Sequence, residues 1–252
     1  GISGEVLDQT LAYLENYEEL SGMTAAPVGI QTFIEHKDYL NKSGVIYPEI
    51  MKELIELATP NKYYEAVLTG GIGVAKTSIS IYIIAYNLYL LSLYKDPHKA
   101  FGGLDPSSEL EIVFQNLSAS KAKEVDYERF KSLCDQSPYF TKDFPYDRTL
   151  KAKLKFPNRI IVTPVSGSST ATIGANVIGG MIDELNYMAT VSKSKISQDG
   201  EYDQAMTLYN SINRRRKSRF MRKGQQVPGI LCLASSTKYP GEFTDIKKEE
   251  AK

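Results

Sequence analysis

Residues 69–77 read Thr69-Gly70-Gly71-Ile72-Gly73-Val74-Ala75-Lys76-Thr77, and this stretch decides the fold. It follows the phosphate-loop pattern of a glycine, four residues, a second glycine, lysine and a hydroxyl residue. Gly70, Lys76 and Thr77 occupy their places in it, and Ala75 stands where the second glycine belongs. A loop that wraps a phosphate must turn its backbone N–H groups inward, and Gly71 and Gly73 add the freedom to do so. Lys76 brings a positive charge to the β- and γ-phosphates. Thr77 offers a hydroxyl to Mg²⁺ at the start of a helix, where anions are favoured. The candidate phosphate-binding residues are therefore Gly70, Gly71, Ile72, Gly73, Val74, Ala75, Lys76, Thr77 and Ser78. Alanine is the smallest side chain after glycine, so Ala75 fits on condition that its backbone stays helical.

The flanking sequence supports this reading. Residues 63–68 are a short β-prone run, and residues 77–94 carry no charge. The second segment approaches the ~20 residues of a membrane span. It also holds Ser78, Ser80, Asn87 and Ser92, and it repeats Tyr82, Tyr86 and Tyr89 at helical spacing. We read it as a buried core helix with a wetter tyrosine stripe. Strand, glycine loop and helix together open an α/β unit. Further strands are expected at 111–115, 176–182 and 228–234, with a hairpin of 152–156 and 159–165 turned at Pro157-Asn158. Helices are expected over 5–20, 32–41, from Pro48 to about 57, from a Ser118 cap to about 134, and over 201–222. Residues 166–175 read as a loop. The chain divides into an N-terminal helical extension packed on the core (1–58), a core (59–245) and a charged tail (246–252).

A phosphate loop needs a second strand that delivers an acid to the metal. Residues 176–182 are apolar and run into Asp183-Glu184, at the strand end where open α/β sheets bind ligands. Asp183 is placed to serve Mg²⁺, and Glu184 to orient and polarise the attacking water. The last strand runs into Ser235-Ser236-Thr237, small hydroxyl residues suited to sensing a nucleotide's phosphates and passing the signal to a moving part. Composition narrows the alternatives. The 252 residues are 42% hydrophobic and 24% charged, which excludes a disordered chain. Thirty basic residues balance thirty acidic ones, against a blanket polyanion binder but not against a local basic face. Two cysteines (Cys134, Cys232) and two histidines (His36, His98) cannot build a disulfide scaffold or a zinc cluster. No secretory leader is visible, so the reading is an intracellular, soluble protein without a membrane span.

In their order, these elements resemble the N-terminal ATPase domain of the large terminase subunit of tailed bacteriophages, over roughly residues 30–245. The pieces that carry the resemblance are 70–77, 153–164 leading into Ile182-Asp183-Glu184, and Arg219-Phe220 ahead of 231–237. The resemblance implies an additional-strand, RecA-like P-loop NTPase: a mostly parallel sheet flanked by helices, with ATP and Mg²⁺ as cofactors. Lys76 would contact phosphate, Thr77 and Asp183 would hold Mg²⁺, and Glu184 would be the catalytic carboxylate. Ser235, Ser236 and Thr237 would form the motif coupling hydrolysis to movement. The implied work is driving double-stranded DNA into a procapsid, in the host cytoplasm. The implied partners are a portal protein, a small terminase subunit and other copies in a pentameric ring. The family's nuclease domain would lie beyond residue 252, so no nuclease activity is expected of this chain. Many family members have an arginine in the phosphate loop where Ile72 stands, leaving the finger arginine to be found elsewhere, in this chain or a neighbour's. Candidates for the finger or for DNA contact are Arg148, Arg159, Arg214, Arg215, Arg216 and Arg219.

Arg214, Arg215, Arg216, Lys217, Arg219, Arg222 and Lys223 form a basic cluster that reads either as a DNA or subunit contact or as a solvated helix end. Tyr47 reads as a core aromatic, with contact to a base as the alternative. Two other functions remain open on sequence alone. One is a helicase-like nucleic-acid motor, which needs a second motor lobe. The other is a nucleotide-binding switch without turnover.

Overall fold

A computed structural model describes residues 22–71, 73–101, 104–116, 122–165, 176–188, 190–194, 197–220, 229–237 and 239–250, without the side chains of 122–124 and 190–202. The helix expected over 5–20, the loop 166–175, and Ile72, Ser118, Arg222 and Lys223 lie outside the described residues. In chain order the elements begin with α1 (Ile30–Glu35), α2 (Pro48–Leu57), β1 (Glu65–Gly70), α3 (Lys76–Ser92), α4 (Pro97–Ala100) and β2 (Leu110–Gln115). A π-helical segment (Ala122–Tyr127), α5 (Glu128–Gln136), α6 (Pro138–Lys142), β3 (Leu154–Lys155), a 3-10 turn (Pro157–Arg159) and β4 (Ile160–Val165) follow. Then come β5 (Asn176–Ile182), a second 3-10 turn (Leu185–Tyr187), β6 (Thr190–Ser194), β7 (Ser197–Asp203), α7 (Gln204–Phe220), β8 (Leu231–Ser236) and α8 (Phe243–Glu250).

Six strands form one sheet in the order β1-β8-β5-β2-β4-β3. The first five run parallel, and only β3 is antiparallel, to β4. β8 is inserted between the strand of the glycine loop and the strand of the acids, which is the additional-strand arrangement. β6 and β7 make a separate antiparallel ribbon. Residues 201–203, expected to open a helix, belong to β7, so α7 starts later.

The strands read as nearly continuous apolar runs because both faces of the sheet are covered. Ile112, Phe114, Ile178, Met181, Cys232 and Ala234 join the core beneath α3. Val113, Val177, Ile182, Leu231 and Leu233 join the second core, with Leu208 and Ile212 of α7 and Phe243 of α8. In β5 the alternation slips: Ile178 and Met181 share a face. The cause is a bulge, since Glu111 pairs with Val177 but Ile112 with Gly179. Gly179 and Gly180 permit it. A Cβ on Gly180, at φ +137, would lie 2.0 Å from the Val113 carbonyl oxygen, and one on Gly179 2.6 Å from that of Ile230. The bulge sets the phase in which the strand delivers its acids.

α3 lies between this sheet and α1 and α2. Its tyrosine stripe is not wet, contrary to expectation: Tyr86 and Tyr89 are buried and Tyr82 is half-buried. Burial works because the hydroxyls find partners. Tyr86 Oη donates to the Val28 carbonyl at 2.8 Å, and the Val28 N–H donates to Tyr89 Oη at 3.0 Å. Phe33 of α1 stacks on Tyr89 with centroids 4.8 Å apart. Residues 246–250, read as tail, instead continue α8, and Lys247 is buried with its ammonium 3.9 Å from the Tyr209 ring centre. Among the described residues no helix is long and apolar enough to cross a membrane.

Candidate nucleotide site

β1 ends at Gly70 with φ +138, the chain turns again at Gly73 with φ +89, and α3 begins at Lys76. Ala75 is its N-cap and lies in the left-handed region, at φ 59 and ψ 16. The condition set for Ala75, a helical backbone, is therefore not met. The loop requires the glycine-type geometry whatever residue stands there, and alanine bears a Cβ clash of ~1–2 kcal/mol in adopting it. The Lys76 ammonium folds over the loop and donates to the Gly71 carbonyl at 2.7 Å and the Gly70 carbonyl at 3.2 Å. Thr77 is half-buried, and Val74 and Ser78 are exposed.

Across β8, β5 delivers Asp183 and Glu184. The Asp183 N–H donates to the Gln115 carbonyl at 2.9 Å, which ties the acid to the end of β2. Asp183 Oδ1 accepts from the Glu184 N–H at 2.8 Å. Glu184 is a second non-glycine residue in the left-handed region, at φ 57 and ψ 32. Two strained residues thus flank the site, where strain of ~1–3 kcal/mol each is characteristic of working residues. Burial raises the Asp183 carboxyl to about 6, the Asp126 and Glu184 carboxylates push the same way, and the Glu184 N–H and the Lys76 ammonium pull it down. Lys76 and Asp183, far apart in sequence, therefore share one electrostatic site. For Mg²⁺, which prefers oxygen donors and keeps several waters, the Thr77 hydroxyl and the Asp183 carboxylate are a chemically fitting pair.

Two residues of this region went unnoticed in the sequence. Asp126, at the end of the π-helical segment, is 2% exposed. Its Oδ2 accepts from Asn116 Nδ2 at 3.2 Å, its Oδ1 is buried without a hydrogen-bond partner, and burial raises its pKa. Asn186, two residues after Glu184, bonds to Ser235, Ser236 and Thr244. No sequence pattern marks either one. Ser235 Oγ is buried and accepts from the Asn186 N–H at 3.0 Å, so its hydroxyl serves the acid turn. Ser236 pairs with Gly70 in the β1–β8 ladder, and the Thr237 N–H donates to the Gly70 carbonyl at 3.4 Å. The three hydroxyl residues thus sit between the phosphate loop and the acids.

The six arginines are not gathered at this site. Arg216 is fully buried. Its Nη2 donates to the carbonyls of Tyr64 and Gly229, each at 2.8 Å, and its Nε to that of Ile178 at 3.2 Å. Burial pulls its pKa down to about 10. Those carbonyls lie near the amino ends of β1, β8 and β5, opposite the phosphate loop. This corrects its candidacy as a finger: the guanidinium is a strut holding strand entries together. The signal was in the sequence, since Leu208, Ile212, Arg216 and Phe220 recur every fourth residue on one buried stripe. Arg214, Arg215 and Arg219 share that half of α7. Arg159 is exposed just before β4, also at the amino ends. Arg148 precedes edge strand β3, 3.8 Å from the Asp135 carboxylate. Tyr47 is 77% exposed, so it is not the core aromatic expected. Cys134 and Cys232 are buried thiols with raised pKa values, as core residues should be.

A family model described as "Uncharacterized protein MJ0330, N-terminal P-loop domain" matches residues 7–245. The chain belongs to this P-loop domain family. No curated protein matches it by sequence. Among solved structures the P-loop domain is similar to the large terminase of bacteriophage HK97, with a TM-score of 0.56 and 14% identity over 88% of this chain and 40% of that one. It is also similar to the large terminase of a thermophilic bacteriophage, with a TM-score of 0.51 and 10% identity over 81% of this chain and 42% of that one. The P-loop domain spans about two-fifths of those terminases. At these identities the likeness is one of fold, and the fold is terminase-like, as the sequence resemblance implied.

Proposed function

We propose that this P-loop domain is the ATPase motor of a viral DNA-packaging large terminase, hydrolysing ATP with Mg²⁺ to move double-stranded DNA into a procapsid. The observation that carries the proposal is the meeting of Lys76, Asp183 and Glu184 at the carboxyl ends of β1 and β5, with the hydroxyl-rich end of β8 between them. Lys76 exchanges its loop carbonyls for the β- and γ-phosphates, and the backbone N–H groups of the loop fix their orientation. Thr77 and Asp183 would hold Mg²⁺, which supplies charge neutralisation at the phosphates when bound. Glu184 orients the attacking water and accepts its proton as the water oxygen bonds to the γ-phosphorus, the bond from that phosphorus to the bridging oxygen breaks, and phosphate and ADP are left. None of the candidate arginines that the structure describes reaches the phosphate loop within the chain, which favours a finger from a neighbouring copy in a ring. The exposed basic residues Arg214 and Arg219 of α7 suit DNA phosphates or that neighbour. The portal protein and small terminase subunit are the partners this function entails, in the host cytoplasm.

ATP hydrolysis should be measured against protein concentration, with and without double-stranded DNA, for wild type, Lys76→Ala and Glu184→Gln. Turnover per molecule that rises with concentration and disappears in both variants supports a motor completed by its neighbour. ATP binding without turnover at any concentration contradicts it.

A further inference from the structure

We infer that Asn186 is a positioning residue that ties the turn of the catalytic carboxylate to α8, making α8 the element that responds to the nucleotide. The inference rests on the ATPase reading above.

The Asn186 backbone N–H donates to Ser235 Oγ at 3.0 Å. Its Nδ2 donates to the Ser236 carbonyl at 3.2 Å and to Thr244 Oγ1 at 2.9 Å. Its Oδ1 accepts from the Thr244 N–H at 3.1 Å. The last bond satisfies one of the four N–H groups that a helix start leaves without intrahelical partners, so Asn186 caps α8 from another part of the chain. Thr244 is 1% exposed and Asn186 is half-buried, so the contact is partly shielded from solvent. Only a carboxamide both donates and accepts at this spacing; aspartate keeps the acceptor and loses the donor. On its other side the same turn begins at Glu184, whose left-handed backbone leaves few ways to move without moving Asn186. Ser236 in turn pairs with Gly70 of the phosphate loop. A displacement of the end of β8 by bound phosphates therefore reaches Glu184 through the Asn186 backbone and α8 through the Asn186 side chain.

The test compares wild type, Asn186→Ala, Asn186→Asp and Thr244→Val for kcat and KM with Mg-ATP, for the Kd of Mg-ATPγS, and for amide exchange over residues 243–250 with and without it. In wild type the analogue should slow exchange in α8. In Asn186→Ala, kcat should fall about tenfold or more with KM and Kd within about twofold, and α8 should no longer respond. Thr244→Val removes only the Oγ1 acceptor and keeps the Asn186 side-chain bond to the Ser236 carbonyl, so it should weaken the α8 response while retaining more of kcat. Asn186→Asp decides the matter if the alanine variant does not fold, by the same loss of response. Wild-type kcat and an intact α8 response in a folded Asn186 variant overturn this inference alone. A wild type that neither binds ATPγS nor turns over ATP overturns it together with the ATPase reading.

Discussion

Ala75 gives a prediction whose sign separates two backbone geometries. In the left-handed conformation an L-residue carries ~1–2 kcal/mol of clash between Cβ and the following carbonyl oxygen. Glycine removes that clash, and the greater entropy of its unfolded chain returns ~0.5–1 kcal/mol. Ala75→Gly should thus stabilise the protein by about 0.5–1 kcal/mol. Were Ala75 an ordinary helical residue, the same change would destabilise by about 1 kcal/mol. Urea unfolding reads the difference as a shift of midpoint to higher denaturant at unchanged slope. Ala75→Val should move it the other way, because a β-branched side chain tolerates positive φ poorly. The affinity for Mg-ATP should be retained in Ala75→Gly. A midpoint lowered by the equivalent of ~1 kcal/mol would refute the left-handed assignment, and with it the account of how this loop is built without its second glycine.

Three further outcomes follow from the geometry. The folded Asp183 carboxyl stands at about 6 against an ordinary 3.8, so between those values the native protein keeps a proton that the unfolded chain has lost. Its contribution to stability is present below about pH 4 and is lost as pH rises through about 6. At pH 7 with metal chelated, Asp183→Asn should raise stability by ~1–3 kcal/mol while abolishing turnover, and an unchanged Tm would contradict the burial argument. Arg216→Met removes a donor from three backbone carbonyls, of which that of Tyr64 keeps the Leu231 N–H, and should cost ~3–5 kcal/mol by thermal or urea unfolding, whereas Arg219→Met should leave stability nearly unchanged; equal effects would sink the strut. Gly180→Ala places a Cβ against the Val113 carbonyl in a bulge with no room to yield, so the variant should lose cooperative unfolding or fail to accumulate as folded protein.

What the sequence disclosed about this molecule follows physical rules. The phosphate loop and Asp183-Glu184 were legible because chemistry dictates residue type at fixed spacing, and because a strand covered on both faces is apolar along its whole length. The position of β8 between them came from the family resemblance, since strand order leaves no local trace. For Ala75 the sequence reading requires a helical backbone, but the turn imposes a left-handed one; the geometry of the turn, not the volume of the side chain, sets the requirement. A tyrosine stripe reads as wet because of its hydroxyls, but the buried hydroxyls of Tyr86 and Tyr89 both find partners on the Val28 backbone. Arg216 was hidden inside a run of cations although the fourfold spacing of its neighbours marked the buried stripe. Asp126 and Asn186 were unreadable, because a lone acid and a lone amide carry no pattern and acquire their roles only when β2, β5, β8 and α8 converge.

The central claim is that Lys76 binds the phosphates and Glu184 acts on the water. Titration calorimetry of Mg-ATP into wild type, Lys76→Ala and Glu184→Gln, paired with turnover of each, tests it directly. The account predicts that Glu184→Gln binds within a few-fold of wild type while its turnover falls ~100-fold or more, and that Lys76→Ala loses binding. A Lys76→Ala variant that binds Mg-ATP as tightly as wild type, or a Glu184→Gln variant that hydrolyses it at the wild-type rate, would contradict the account.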